Sequence, residues 1–331
     1  MLAGSLKRNT FFALSVCFLL LFVLWIPSLF SLAEIPSGET YQQMQAHSLW
    51  MGLLPPGTKI WTYIAFILTF ISAASLLVLN NRHLFHPANE FLLPLLYVLF
   101  SSAIPATQWF SGIQAVVLLN FLGLHFLFAS HQRLSGLAEL FIASFCFSLA
   151  SLCFPPALLL LLLLPVAIII LRTFAWRDWV ISFFGALTPY AYLLFYYWMD
   201  ARDIAIAREA FLTLLPQGLP DAPFGNIPLF VFFAGTAFLL FLSLTHTLTK
   251  SSANKIKILH IRAIFRWMLL LIIAGIIFYP SCSYQAMPLL AMPVTVIAAN
   301  YLAQPGRKKM KIFCWLLLWA TVIYLHVAEF L

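Results

Sequence analysis

Acidic residues are nearly absent from this sequence, with ten Asp and Glu in 331 positions. Charged residues of both signs reach only 8%, against about 25% in a soluble domain. That shortage excludes a water-soluble globular chain. With 63% hydrophobic residues and a mean hydropathy of +0.99, too little polar surface exists to face water. The alternating polar and apolar segments of a membrane β-barrel are missing as well. Cysteine is sparse: Cys17, Cys146, Cys153, Cys282 and Cys314 form no C-x-x-C pair and no zinc spacing. They read as small apolar residues. There is no H-E-x-x-H and no carboxylate–histidine set, so no metal site is expected. The net charge of +8 does not point to nucleic acid, because the basic residues stand in short segments between apolar runs.

What is present is a series of apolar runs. A helix of about 20 apolar residues crosses a bilayer with its backbone hydrogen bonds satisfied internally. Eleven such runs are read, over 11–33, 60–79, 91–109, 112–130, 137–154, 156–171, 179–199, 227–246, 265–280, 286–303 and 312–330. The expected fold is all-α, a polytopic transmembrane helical bundle, with residues 1–331 forming one membrane domain. Lys7 and Arg8 precede the first run, which is longer than a signal-peptide core and lacks a convincing cleavage site; it reads as a retained signal anchor.

Cytoplasmic loops are enriched in Lys and Arg. With the N-terminus inside, fifteen of the eighteen basic residues fall in inside segments, and only Lys59, Arg202 and Arg208 fall outside. The opposite orientation reverses this count. Eleven spans then put the C-terminus outside, together with two polar loops, 34–58 and 200–226.

The outer loops hold most of the scarce carboxylates. Glu34 and Glu39 lie in "SLAEIPSGETYQQMQAHSLW". Asp200, Asp203, Glu209 and Asp221 lie in the second loop with Arg202 and Arg208. Solvation alone accounts for polar outer loops. A site is the alternative. A carboxylate just after the first span, facing a second polar outer loop, resembles the arrangement of GT-C-type lipid-linked sugar transferases. That resemblance implies a base near the acceptor and a cation near the leaving phosphate. Glu34 or Glu39 is the candidate base, Asp203 an assistant, and Arg202 or Arg208 the phosphate ligand.

Within the spans, His125 and Asn120 are the polar residues of note. Neutral histidine often bonds across helices as structural glue, and that reading is favoured over a functional one. His326 falls near the outer end of the last span. Trp176 and Trp179 flank Arg177 and Asp178 at a headgroup level. Prolines 94, 105, 165, 189, 288 and 293 each interrupt a backbone ladder, which predicts bent helices around a cavity or groove.

Two resemblances add to this. The stretches Asn80–Pro105 and Glu139–Tyr190 carry "PLLYVLF", an apolar serine-bearing hairpin, and "RDWV" opening the next span. They resemble an uncharacterised family of polytopic inner-membrane proteins of Bacteroidota, over roughly residues 60 to 300. That resemblance implies a bacterial inner membrane, with the outside being periplasm. The late segment "YQAMPLLAMPVTVIAANYLA" sets Tyr284, Pro288 and Pro293 in a frame similar to the late helices of GT-C-type glycosyltransferases, although Ser283 stands where those enzymes carry arginine. This similarity implies a polyprenyl-phosphate-linked sugar as substrate, Tyr284 in substrate binding, and a divalent cation as cofactor. Three functions follow: a GT-C-like enzyme at the periplasmic face, a non-enzymatic subunit of an envelope secretion, gliding or polymer-export complex, and a transporter or flippase with Ser101, Ser102, Asn120 and His125 lining a midplane cavity.

Overall fold

The computed structural model describes residues 2–30, 59–83, 91–108, 112–131, 136–171, 175–199, 227–249, 256–278, 286–303 and 308–328. Among these residues all regular structure is helical and no strand occurs. In chain order the α-helices are α1 (Leu2–Phe30), α2 (Ile60–His83), α3 (Leu92–Ser101), α4 (Ile113–Ser130), α5 (Leu137–Cys153), α6 (Leu163–Leu171), α7 (Trp176–Met199), α8 (Ile227–Thr249), α9 (Ile256–Phe278), α10 (Met287–Leu302) and α11 (Lys308–Ala328). Two 3₁₀ segments, Pro105–Thr107 and Pro155–Leu162, complete the order. Six helices, α1, α2, α4, α7, α9 and α11, are long and apolar enough to cross a membrane. They make the chain a multi-pass membrane protein.

The helices follow the predicted runs, with informative differences. Helices α1 and α9 start well before the apolar runs at 11 and 265. Lys and Arg end a hydrophobic run but are good helix formers, so the helix continues into its basic flank. The third run divides: α3 has ten residues, a rise of about 15 Å, and the chain then bends into the short 3₁₀ turn at Pro105. The sixth run is stretched rather than divided. Its eight 3₁₀ residues and nine α-helical residues together rise about 30 Å, the thickness of a hydrocarbon core.

The prolines behave differently from expectation. Pro94, Pro165 and Pro288 sit in first turns and Pro105 opens a 3₁₀ turn. At the free starts, Pro94, Pro105 and Pro288, a missing N–H removes no helical bond, whereas Pro165 follows the 3₁₀ segment directly and stands at its change to α-helix. Only Pro189, Pro293 and Pro27 lie inside helices. Most of the six prolines therefore set where elements begin and do not kink them around a cavity.

At the centre lies α10, in which every residue but Leu290 is buried. It packs against α3, α4, α8 and α9, and the Ser243 hydroxyl of α8 donates to the Ile297 carbonyl. Cys17, Cys146 and Cys314 are buried free thiols, as small apolar residues would be.

Side-chain bonds fix helix directions. Ser144 meets Ser182 at 2.9 Å, Ser148 donates to the Ala186 carbonyl, and Ser151 meets the Tyr190 hydroxyl at 2.7 Å. Both members of each pair advance together, so α5 and α7 run parallel, with α6 returning between them. Close approach is possible because a Cβ on Gly185 would lie 2.7 Å from the Phe141 carbonyl. Gly112, with φ +79°, turns the chain into α4 in a conformation suited to glycine.

Candidate functional site

The bundle has two chemically different ends. At one, the C-terminal ends of α1, α3 and α11 meet through buried polar side chains. The Trp25 indole donates to Ser102 Oγ at 2.9 Å. Gln108, 2% exposed, has its carboxamide fully engaged. Its Nε2 donates to the Ser102 carbonyl at 3.0 Å and the Leu24 carbonyl at 3.3 Å, and its Oε1 accepts from Ser28 at 2.6 Å. His326 Nε2 lies 3.2 Å from the same Leu24 carbonyl, and its Nδ1 lies 3.0 Å from the Val322 carbonyl. Pro27 deprives the carbonyl four residues earlier of its helical donor, and the side chains gather one residue further along. In a dry interior each of these groups needs its partner, so the network is a cross-brace between helices.

At the other end, α2 and α4 carry Arg82, His83 and His125. Arg82 Nη1 lies 3.2 Å from His125 Nε2, and His125 Nδ1 lies 3.4 Å from His83 Nε2. The guanidinium has only donors. It therefore requires an acceptor at Nε2, which puts the His125 proton on Nδ1, facing His83. Below this cluster a groove of about 490 Å³ runs between α2 and α4, lined by Phe70, Ile71, Ala74, Val78, Leu118 and Leu122 among others. His131 and His260 come together at the same end, with ring centres 6.4 Å apart. Nearby in sequence, Arg262 buries Nε and Nη1 without a hydrogen-bond partner among the described residues.

Charge follows the same division. Among the described Lys and Arg residues, Lys59 alone is at the Gln108 end. The 200–226 loop and the 34–58 loop both leave and rejoin helices at that Gln108 end. Early α8 meets the end of α3, where the Phe232 and Phe100 ring centres lie 6.5 Å apart, and later α8 bonds to Ile297 through Ser243. The Lys311 ammonium donates to the Leu302 carbonyl at the opposite end; α8 and α10 therefore run in the same direction.

Glu34, Glu39, Arg202, Asp203, Arg208 and Tyr284, the residues singled out by sequence, all lie outside the described residues. His125 does bond across helices, as the glue reading holds. Asn120 and Ser102 are fully buried, and Ser102 is taken up by Trp25, so the groove contains only His125 of the four residues suggested for a transport cavity. Among the described residues no group of three His, Cys, Asp or Glu side chains is placed to hold a metal ion. Sequence reasoning missed Gln108 and His83. Gln108 falls near the end of the third apolar run, 91–109, where hydropathy gives it no distinction; His83 stands beside Arg82 in a basic inner flank.

A family model described as a family of unknown function (DUF6427) matches residues 56–331. The chain belongs to that family. The matched region takes in Arg202, Asp203, Arg208 and Tyr284 and begins after Glu34 and Glu39. It also includes both walls of the groove and, from the network, Ser102, Gln108 and His326. No curated protein and no solved structure matches the chain.

Proposed function

We propose that this family member is an inner-membrane protein of eleven spans, with a cytoplasmic N-terminus and a periplasmic C-terminus, that acts on a polyprenyl-phosphate-linked sugar at the periplasmic face. The observation that carries the orientation is the gathering of the described basic residues at one end of the bundle, which the positive-inside rule makes cytoplasmic. The five spans beyond the six long helices are the shorter apolar ones. Among them, the 3₁₀ stretch supports a full crossing by the sixth. At the Gln108 end, buried polar side chains gather beside the helix ends from which both long loops leave, which supports that end as the working face.

On this reading Asp203, Glu34 or Glu39 removes a proton from the acceptor, Arg202 or Arg208 holds the lipid phosphate, and Tyr284 contacts the substrate. A divalent cation would draw its ligands from loop carboxylates. An activity common to the family would rest on residues within 56–331, so Asp203 takes precedence over the two glutamates. The test is the lipid-linked glycan profile of a deletion strain complemented with wild type, Asp203→Asn, Glu34→Gln or Glu39→Gln. One variant with normal protein level and the deletion's glycan defect is the expected result. Wild-type profiles from all three would retire the enzyme reading.

A second reading, a non-enzymatic subunit of an envelope complex, is favoured by α7. Its Phe183, Phe184, Tyr192 and Phe195 are exposed, beside an apolar hollow of about 390 Å³ lined by α7 alone. Site-specific photocrosslinking from Tyr192 in cells distinguishes the two: a single discrete protein adduct supports the subunit reading, and lipid adducts alone remove it.

A further inference from the structure

We propose that the groove between α2 and α4 is a binding site for an anionic phospholipid, with one acyl chain lying in the groove and the phosphate on Arg82. Both walls are helices long and apolar enough to cross a membrane, and Ile71, Val78 and Leu122 in the lining are exposed on the outside of the bundle, so the groove opens towards lipid. Its lining runs from Phe70 to Arg82 along α2, a length of about 18 Å, which suits one extended acyl chain within a single leaflet. The groove is apolar along its length apart from Ser75, and its charged and imidazole groups, Arg82 and His125, stand at its head.

The chemistry of that head favours a phosphate. Arg82 presents five N–H donors, and among the described residues its one hydrogen-bond partner is His125. No described carboxylate neutralises it. The acceptor at His125 Nε2 and the His83 ring behind it hold the guanidinium at the mouth of the groove. A phosphate diester there takes the remaining donors bidentately, and further basic side chains at the same end, Lys309 and Lys311 among them, favour an anionic headgroup over a zwitterionic one. A docked helix from another protein would need an acidic side chain at that level; a lipid of the surrounding leaflet already carries its phosphate there.

The full chain, purified in a mild detergent, is mixed with dioleoyl phosphatidylglycerol or dioleoyl phosphatidylcholine and examined by native mass spectrometry. Wild type is expected to retain one phosphatidylglycerol about fivefold more strongly than phosphatidylcholine, the factor expected for one basic residue at a lipid headgroup. Arg82→Gln is expected to lose that preference. Val78→Trp, at an exposed position within the groove, is expected to weaken both lipids while keeping the charge. It serves as the second arm should Arg82→Gln fail to fold. Equal retention of the two lipids by wild type overturns the proposal, as does unchanged retention in Val78→Trp. Displacement of the lipid by millimolar inorganic phosphate alone shows an anion site with no chain groove and also overturns it. A dimer disrupted by Val78→Trp, with no lipid preference, assigns the groove to a second helix instead.

Discussion

Gln108 and His326, 218 residues apart in sequence, meet Nε2 to Nε2 at 3.4 Å above a carbonyl of α1. Three helices from the beginning, the first third and the end of the chain are tied at this point. Gln108→Ala removes donors to two carbonyls and the acceptor for Ser28. A loss of about 1–3 kcal/mol is expected, read as a lower unfolding temperature in detergent. The double variant with His326→Ala is expected to lose less than the sum of the single losses, because the two share the Leu24 carbonyl. Strict additivity would dissolve the idea of one network.

Helix α5 leaves no room for a side chain at Gly185. A methyl group there would meet the Phe141 carbonyl at 2.7 Å and the Ser144 Cβ at 2.9 Å. Gly185→Ala is expected to destabilise by about 1–3 kcal/mol through overpacking. The check is chemical or thermal unfolding of the purified protein, and a gain in stability would contradict the parallel pairing of α5 and α7.

Arg262 offers the opposite case. Its Nε and Nη1 are buried with no hydrogen-bond partner among the described residues, so the desolvation of the guanidinium is uncompensated. Arg262→Met keeps the length and apolar stem. It is expected to be neutral or stabilising by up to about 2 kcal/mol. A marked loss of stability would reveal an anionic partner for the arginine in the intact membrane.

Orientation is checked with single cysteines in a cysteine-free background. A cysteine replacing Lys59 is expected to react with a membrane-impermeant maleimide in intact spheroplasts. A cysteine replacing Lys309 is expected to react only after the membrane is opened. Both side chains are exposed in the structure, so a reversed pattern would invert the proposed topology.

Much of this fold was legible from the sequence because lipid permits few solutions: an apolar run of sufficient length becomes a helix. The positions of α4, α5, α8 and α10 agree with the runs to within a few residues. What hydropathy could not give was how the third and sixth runs are used. An apolar window averages over Pro105 and over the Pro155–Pro156 start, and cannot tell a bend from a 3₁₀ stretch. The candidate site was less legible. Glu34, Glu39 and Asp203 stood out by scarcity in the sequence and lie outside the described residues. Gln108 and His83, by contrast, owe their importance to distant partners, Leu24, His326 and His125, which no local pattern reveals.

The parallel pairing of α5 and α7 has a consequence for biogenesis. Helix α5 can close against α4 as soon as their hairpin emerges, but its serine face waits for a partner made 38 residues later. At ribosomal speeds of about 5–20 residues per second, that delay is about 2–8 s. In the folded structure the Ser144 hydroxyl donates to the Leu140 carbonyl at 2.8 Å and the Ser151 hydroxyl to the Ser148 carbonyl at 2.6 Å, bonds whose acceptors belong to α5 itself and need no later element. The nascent helix thus holds these two hydroxyls in its own backbone while the insertion machinery completes the strip that will cover them.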